Sequence, residues 1–233
     1  MIHTEHLTRT FKHVNAVHDL NLHIESGEVF GFLGPNGAGK TTTVRMLAGL
    51  IPPSSGSAEV VGFSVGKDNR EIRHRVGVLT ETPGLYEKLS AYRNLEFYAK
   101  LFEVENRDQH IEKHLSTLGL WERRNDPVGT FSKGMRQKVA IARALLHDPQ
   151  ILFLDEPTAH LDFAATKFVE TMIGEAHGAG TIIVMTSHNR AQAERLGEDV
   201  LLLDGGRIVE TAPASRFFIA PEHPLAKQYL AHL

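Results

Sequence analysis

The stretch Val29-Phe30-Gly31-Phe32-Leu33-Gly34-Pro35-Asn36-Gly37-Ala38-Gly39-Lys40-Thr41-Thr42 decides the fold. Its first five residues form a compact apolar run that stops at a glycine, as a buried strand does. Residues Gly34 to Thr41 then fit G-x-x-x-x-G-K-[ST]. Beyond them, Lys40 to Leu50 carries Val44, Leu47 and Ala48 at helical spacing. A glycine-rich turn between a buried strand and a helix start is suited to phosphate. Gly34, Gly37 and Gly39 let backbone N–H groups turn inward without a Cβ in the way, around Pro35, Asn36 and Ala38. The helix start adds the positive end of its dipole at Lys40, Thr41 and Thr42. Lys40 has the reach for β- and γ-phosphates, and the Thr41 hydroxyl suits Mg²⁺, which keeps most of its waters. A glycine-rich turn in an unrelated fold is the rival reading, and the flanking strand and helix argue against it.

Such a loop calls for a second magnesium partner at a nearby strand end. Ile151-Leu152-Phe153-Leu154-Asp155-Glu156 provides one. Four apolar residues bury the strand and leave Asp155 at its carboxyl edge, where ligands bind in open α/β sheets. Asp155 is expected to hold Mg²⁺ through water, and Glu156 to polarise the attacking water. An acidic strand-end turn before Pro157 is the plain alternative. His188 ends another apolar run, Ile182-Ile183-Val184-Met185-Thr186-Ser187, which brings it to the same edge. There it could donate to a γ-phosphate or serve structure alone.

Working outward, Val60-Val61 and Val76-Gly77-Val78-Leu79 read as further strands. Residues 90 to 146 read as helices with three apolar stripes: Leu95, Tyr98, Leu101 and Phe102; Ile111, Leu115 and Leu118; Met135, Val139, Ala142 and Leu146. These are core positions. His110 and His114 stand four apart, a metal-ligand spacing without a third ligand, so an exposed polar face is preferred. Strand and helix alternate again after residue 150, and Asp204-Gly205-Gly206 marks a hairpin. This order predicts a mostly parallel sheet flanked by helices, with a helical subdomain inserted in the middle. The expected core is 1–87 with 147–210, the insert about 88–146, and 211–233, with Pro213, Pro221 and Pro224, an appendage.

Composition narrows the function. The 233 residues hold 25 Lys and Arg against 28 Asp and Glu, a net charge of −3. No global basic field favours nucleic acid. There is no cysteine, so disulfides, Cys-ligated zinc, iron–sulfur clusters and Cys nucleophiles are excluded, and a cytosolic setting fits. No run of about 18 apolar residues exists to cross a membrane, and Met1 to His6 has no apolar signal core.

With these motifs in order, residues 1 to about 210 resemble the ATP-binding subunit of an ABC transporter. Phe131-Ser132-Lys133-Gly134-Met135-Arg136-Gln137 is similar to the family's signature in place and type, and Ala159-His160-Leu161-Asp162 to its D-loop. Phe11 stands where the family has an aromatic that stacks on adenine; a core position is its other reading. The resemblance implies a P-loop NTPase of the ABC type, with an N-terminal antiparallel β subdomain and an inserted helical subdomain. It implies ATP and Mg²⁺ as cofactors, with Lys40, Glu156 and His188 in catalysis. It also implies head-to-tail pairing with a second nucleotide-binding domain, most simply an identical chain, in which Ser132 and Gly134 meet the partner's ATP. Membrane-spanning permease subunits would be driven from the cytoplasmic face. Two departures stand out. Lys133 and Met135 replace the usual Gly and Gln, and Glu81 stands where the family has the Q-loop Gln. Both resemble the exporter branch with separately encoded membrane subunits. Glu81 is expected to act through the metal, or else to stay in solvent and only shape its loop. A soluble ABC-type ATPase without a transport role is the alternative. Its DNA-repair form needs a long coiled-coil insert and its translation form a second phosphate loop, and the chain has neither.

Overall fold

The structure, a computed structural model, describes residues 1–80, 82–159, 161–187 and 190–232. Glu81, His160 and His188 therefore lie outside the described residues. Two sheets organise the rest. The first is antiparallel, in the order β2 (Val14–Ile24), β1 (Ile2–Phe11), β4 (Ser55–Val60), β5 (Phe63–Ser64). Its strands bury one face: Ile2, Thr4 and Leu7 from β1, and Val17, Leu20, Leu22 and Ile24 from β2. That near-alternation marks a half-covered antiparallel sheet. β1 and β2 are long, 10 and 11 residues, with register shifts along β1.

The second sheet has the order β10 (Arg207–Pro213), β9 (Asp199–Asp204), β3 (Val29–Leu33), β8 (Ile182–Thr186), β7 (Ile151–Asp155), β6 (Val76–Leu79). β9, β3, β8, β7 and β6 run parallel, and β10 closes an antiparallel hairpin through Asp204-Gly205-Gly206. Every residue of β3, β7 and β8 is buried, which requires cover on both faces. One face packs on the first sheet and on α1 (Lys40–Leu47), through Val44, Met46 and Leu47. The other takes α5 (Lys133–Leu145) and α6 (Phe163–Gly178), through Ile141, Ala144, Val169 and Ile173.

A separate apolar cluster joins α3 (Ala91–Leu101), α4 (Arg107–Thr117) and the outer side of α5. Leu95, Ile111, Leu115, Leu118, Val139, Ala142 and Leu146 are all essentially buried there. Leu101 is not: it is 56% exposed, because the first stripe turns outward at its last turn. α2 (Asn69–Arg75) was not legible in advance; it buries Ile72 alone, too little to give a periodic signal. β4 reaches back from the expected strand at Val60 to Ser55, because pairing with β1 overrides the local turn residues. β10 carries the sheet through Pro213. α8 (Ala214–Phe217) and α9 (Pro224–Ala231) then pack Phe217, Phe218, Ala226 and Tyr229 against Leu33, Val200 and Leu202.

Candidate nucleotide site

The parallel register places the site. β7 and β8 pair Asp155 with Thr186, and β3 runs beside β8, so three strand ends open at one edge. Residues 34–39 leave β3 there and enter α1. Two glycines make that turn possible. Gly34 has φ +143, and a Cβ on it would lie 2.2 Å from the Leu203 carbonyl. Gly39 has φ +105, and its Cβ would lie 2.4 Å from the Ala16 carbonyl. No other residue fits either place without moving backbone. The turn borders a cleft of about 1250 Å³, lined by Asn36, Gly37, Ala38, Gly39, Lys40, Thr41 and Thr42, with Asp155 and Glu156 opposite.

Lys40 is buried, and its Nζ donates to the carbonyls of Gly34 at 2.6 Å and Pro35 at 3.1 Å. Burial pushes the ammonium below its usual pKa, while the charges of Glu156 and Asp155 push it back up. A desolvated ammonium at the edge of this cleft gains strongly from an incoming anion. The Thr41 hydroxyl donates to Asp155 Oδ2 at 2.9 Å. The second Asp155 oxygen accepts from the Thr186 hydroxyl at 2.7 Å, and that hydroxyl in turn accepts from the Glu156 N–H at 3.0 Å. One fully buried threonine thus ties both acidic residues to β8. Glu156 needs the restraint, because its φ of +52 is a left-handed conformation that costs of order 1–3 kcal/mol in a non-glycine residue. Among the described residues no three His, Asp or Glu side chains gather as a metal site. The pair of hard oxygen donors, Thr41 and Asp155, nonetheless fits Mg²⁺, which needs only one or two protein ligands when phosphates and water complete its shell.

The other expected site residues stand elsewhere. Ser132 caps α5, accepting from the Met135 N–H at 3.2 Å, and is exposed together with Lys133 at the helix start. Neither Ser132 nor Gly134 lines the cleft of its own chain. Phe11 is 45% exposed, which removes the core reading; the Arg9 guanidinium lies 4.6 Å over its ring. Ala16, not Phe11, lines the cleft. His114 is buried, contrary to the exposed polar face expected of it, and burial holds its imidazole down at about 4. Sequence reasoning missed Thr186, Gln137 and Gln192. Gln137 donates to the Pro157 carbonyl at 2.8 Å, and Gln192 to the Thr158 hydroxyl at 2.9 Å, so both brace the segment after Glu156. Burial of a polar side chain was their only signal, and it exists only in the fold.

Known proteins fit this geometry. Residues 17–159 match the ABC transporter family. The bacitracin transport ATP-binding protein BcrA of Bacillus licheniformis is 40% identical over 214 residues, covering 91% of this chain and 70% of that protein. A solved ATP binding subunit of an ABC transporter superposes with a TM-score of 0.88 at 27% identity, over 99% of this chain and 98% of that one. A bacterial ABC transporter cassette solved in dimeric form gives a TM-score of 0.82 at 25% identity, over 92% and 99%. With a phosphate loop facing an acidic strand end and matches across most of its length, the chain belongs to the ABC transporter family, as an ATP-binding ATPase subunit.

Proposed function

We propose that two such chains close head to tail around ATP, and that hydrolysis reopens them to drive separate membrane-spanning subunits in export. The observation that carries this reading is the chain of hydrogen bonds Thr41–Asp155–Thr186–Glu156, which fixes the acidic strand end against the phosphate loop. Lys40 and the N–H groups of residues 37–42 grip the β- and γ-phosphates. Thr41 and Asp155 would hold Mg²⁺, which when bound would neutralise charge on the phosphates. Glu156 orients the attacking water and takes its proton. In the same reading His188 would donate to the γ-phosphate, Glu81 would act through the metal, and Phe11, exposed and outside the cleft lining, would stack on adenine.

The second chain enters the reading because Ser132 and Gly134 do not line their own cleft, while Ser132 caps a helix start that is exposed to solvent. A helix start of this kind suits the γ-phosphate held by a partner. The dimeric cassette that this fold resembles supports the pairing. We take the helices of residues 88–146 as the subdomain that swings the signature into place, with residues 1–87 and 147–210 as core. No helix among the described residues is long and apolar enough to cross a membrane. That the permease is a separate partner, with this chain on the inner membrane face, rests on the relatives, which are transport ATP-binding proteins. Export, rather than a role outside transport, is supported by the signature and Q-loop departures. Lys40→Ala tests the site: ATP binding and hydrolysis should fall together, and a folded variant with wild-type turnover would overturn the assignment.

A further inference from the structure

We infer that Tyr229, on α9, is a positioning residue of the phosphate loop, and that α9 thereby sets the affinity for nucleotide. The inference rests on the nucleotide-site reading above and adds a residue that no motif marks. Gly34 is buried where β3 ends, so its N–H has left the sheet ladder and needs an acceptor. The Tyr229 hydroxyl is that acceptor, at 3.1 Å across 195 residues of sequence. The same residue's carbonyl receives Lys40 Nζ at 2.6 Å. Gly34 is therefore gripped at both ends of its backbone, and its φ of +143 against the Leu203 carbonyl leaves it no slack. Holding Gly34 holds the carbonyl that aligns Lys40 over the cleft before nucleotide arrives, which is preorganisation of the binding cation.

α9 is itself anchored. The buried Glu210 carboxylate on β10 accepts from the N–H groups of Glu222 (3.0 and 3.1 Å) and His223 (2.9 Å), just before the helix. His223 caps it through the Leu225 N–H at 3.2 Å, and Ala226 is buried. A continuous strut runs from β10 through α9 to the first glycine of the loop. Burial and the Glu156 charge raise the Tyr229 phenol above its usual pKa, against the Gly34 N–H, so it stays neutral at working pH.

The test is Tyr229→Phe in the full chain, with Mg-ADP binding by calorimetry and steady-state ATP hydrolysis. Loss of one hydrogen bond's preorganisation should raise the ADP Kd and the ATP KM roughly three- to tenfold, with kcat falling by a smaller factor. If that variant does not fold, Glu210→Gln, which weakens the anchor of α9, should shift Kd and KM the same way. Unchanged Kd and KM would overturn the inference, as would a loss confined to kcat or to thermal stability. Lys40→Ala run in parallel separates the two readings. If it also binds Mg-ADP like wild type, the nucleotide site itself is misassigned; if it binds weakly while Tyr229→Phe does not, only the role of Tyr229 fails.

Discussion

Thr186 shows what one residue can organise. Its hydroxyl donates to Asp155 Oδ1 and accepts from the Glu156 N–H, in a fully buried position where water cannot substitute. Thr186→Val keeps the shape and removes both bonds. Leaving a buried N–H and a carboxylate oxygen short of partners costs about 1–3 kcal/mol. We expect a fall of roughly 3–10 °C in Tm, and a tenfold or larger drop in kcat because Glu156 loses its orientation. Calorimetry and turnover check this; a wild-type kcat would mean that the backbone alone holds Glu156. Glu81, opposite in character, is tested by Glu81→Gln: the Mg²⁺ needed for half-maximal hydrolysis should rise, and superimposable curves would leave the residue a loop-shaping role. At this scale the sequence revealed residues that chemistry marks by type and spacing. Lys40, Thr41, Asp155 and Glu156 sit in local patterns. Thr186 and Tyr229 do not, because their partners lie 31 and 195 residues away. An ordinary threonine at a strand end carries no local sign of a second task.

Among the elements, α5 has two faces with two tasks. Its body is core: Val139, Ala140, Ile141 and Ala142 are buried between the sheet and the helical cluster. Its start is surface, capped by Ser132. Ser132→Ala should cost about 1 kcal/mol of stability through the lost cap. Gly134→Asp adds a Cβ that would sit 3.2 Å from the Ala165 Cβ, so the helix start must shift slightly. Both should leave the ATP Kd of the isolated chain within about twofold, a change of under 0.5 kcal/mol. Both should reduce hydrolysis sharply if, as proposed, the nucleotide they serve belongs to the partner. Abolished binding in the monomer would place the segment within its own chain's site. The helices α3, α4 and α5 were legible from their stripes, since α3 and α4 each bury one face and α5 carries its stripe on the side toward them. β4 was legible only at its end, through Val60, and α2 not at all: Ser and Gly mask the start of the first, and a single buried isoleucine marks the second. Tertiary pairing decided both.

For the molecule as a whole, stability and function respond to different variables. His114 is buried with its Nε2 unpartnered among the described residues, and its pKa is lowered from 6.5 to about 4 by burial. A depressed histidine is neutral in the fold and protonates more readily in the unfolded chain, so stability is full above pH 6.5 and is lost as pH falls toward 4. The size is roughly 3 kcal/mol. His114→Leu should flatten the Tm profile between pH 7 and 4.5, whereas an unchanged slope would assign acid sensitivity elsewhere. The broader architecture, a parallel sheet with an inserted helical layer, was readable because strand and helix alternate with clear breaks. The close packing of residues 214–231 on the sheet was not, since short helices leave little periodicity. The central claim, that ATP joins two chains, has a direct measurement. Glu156→Gln keeps size and hydrogen bonding but removes the base. Its mass by light scattering should double from the 25.8 kDa of the single chain when ATP and Mg²⁺ are added, and stay single without them. A variant that binds ATP by calorimetry yet remains at the single-chain mass at saturating nucleotide would contradict the account.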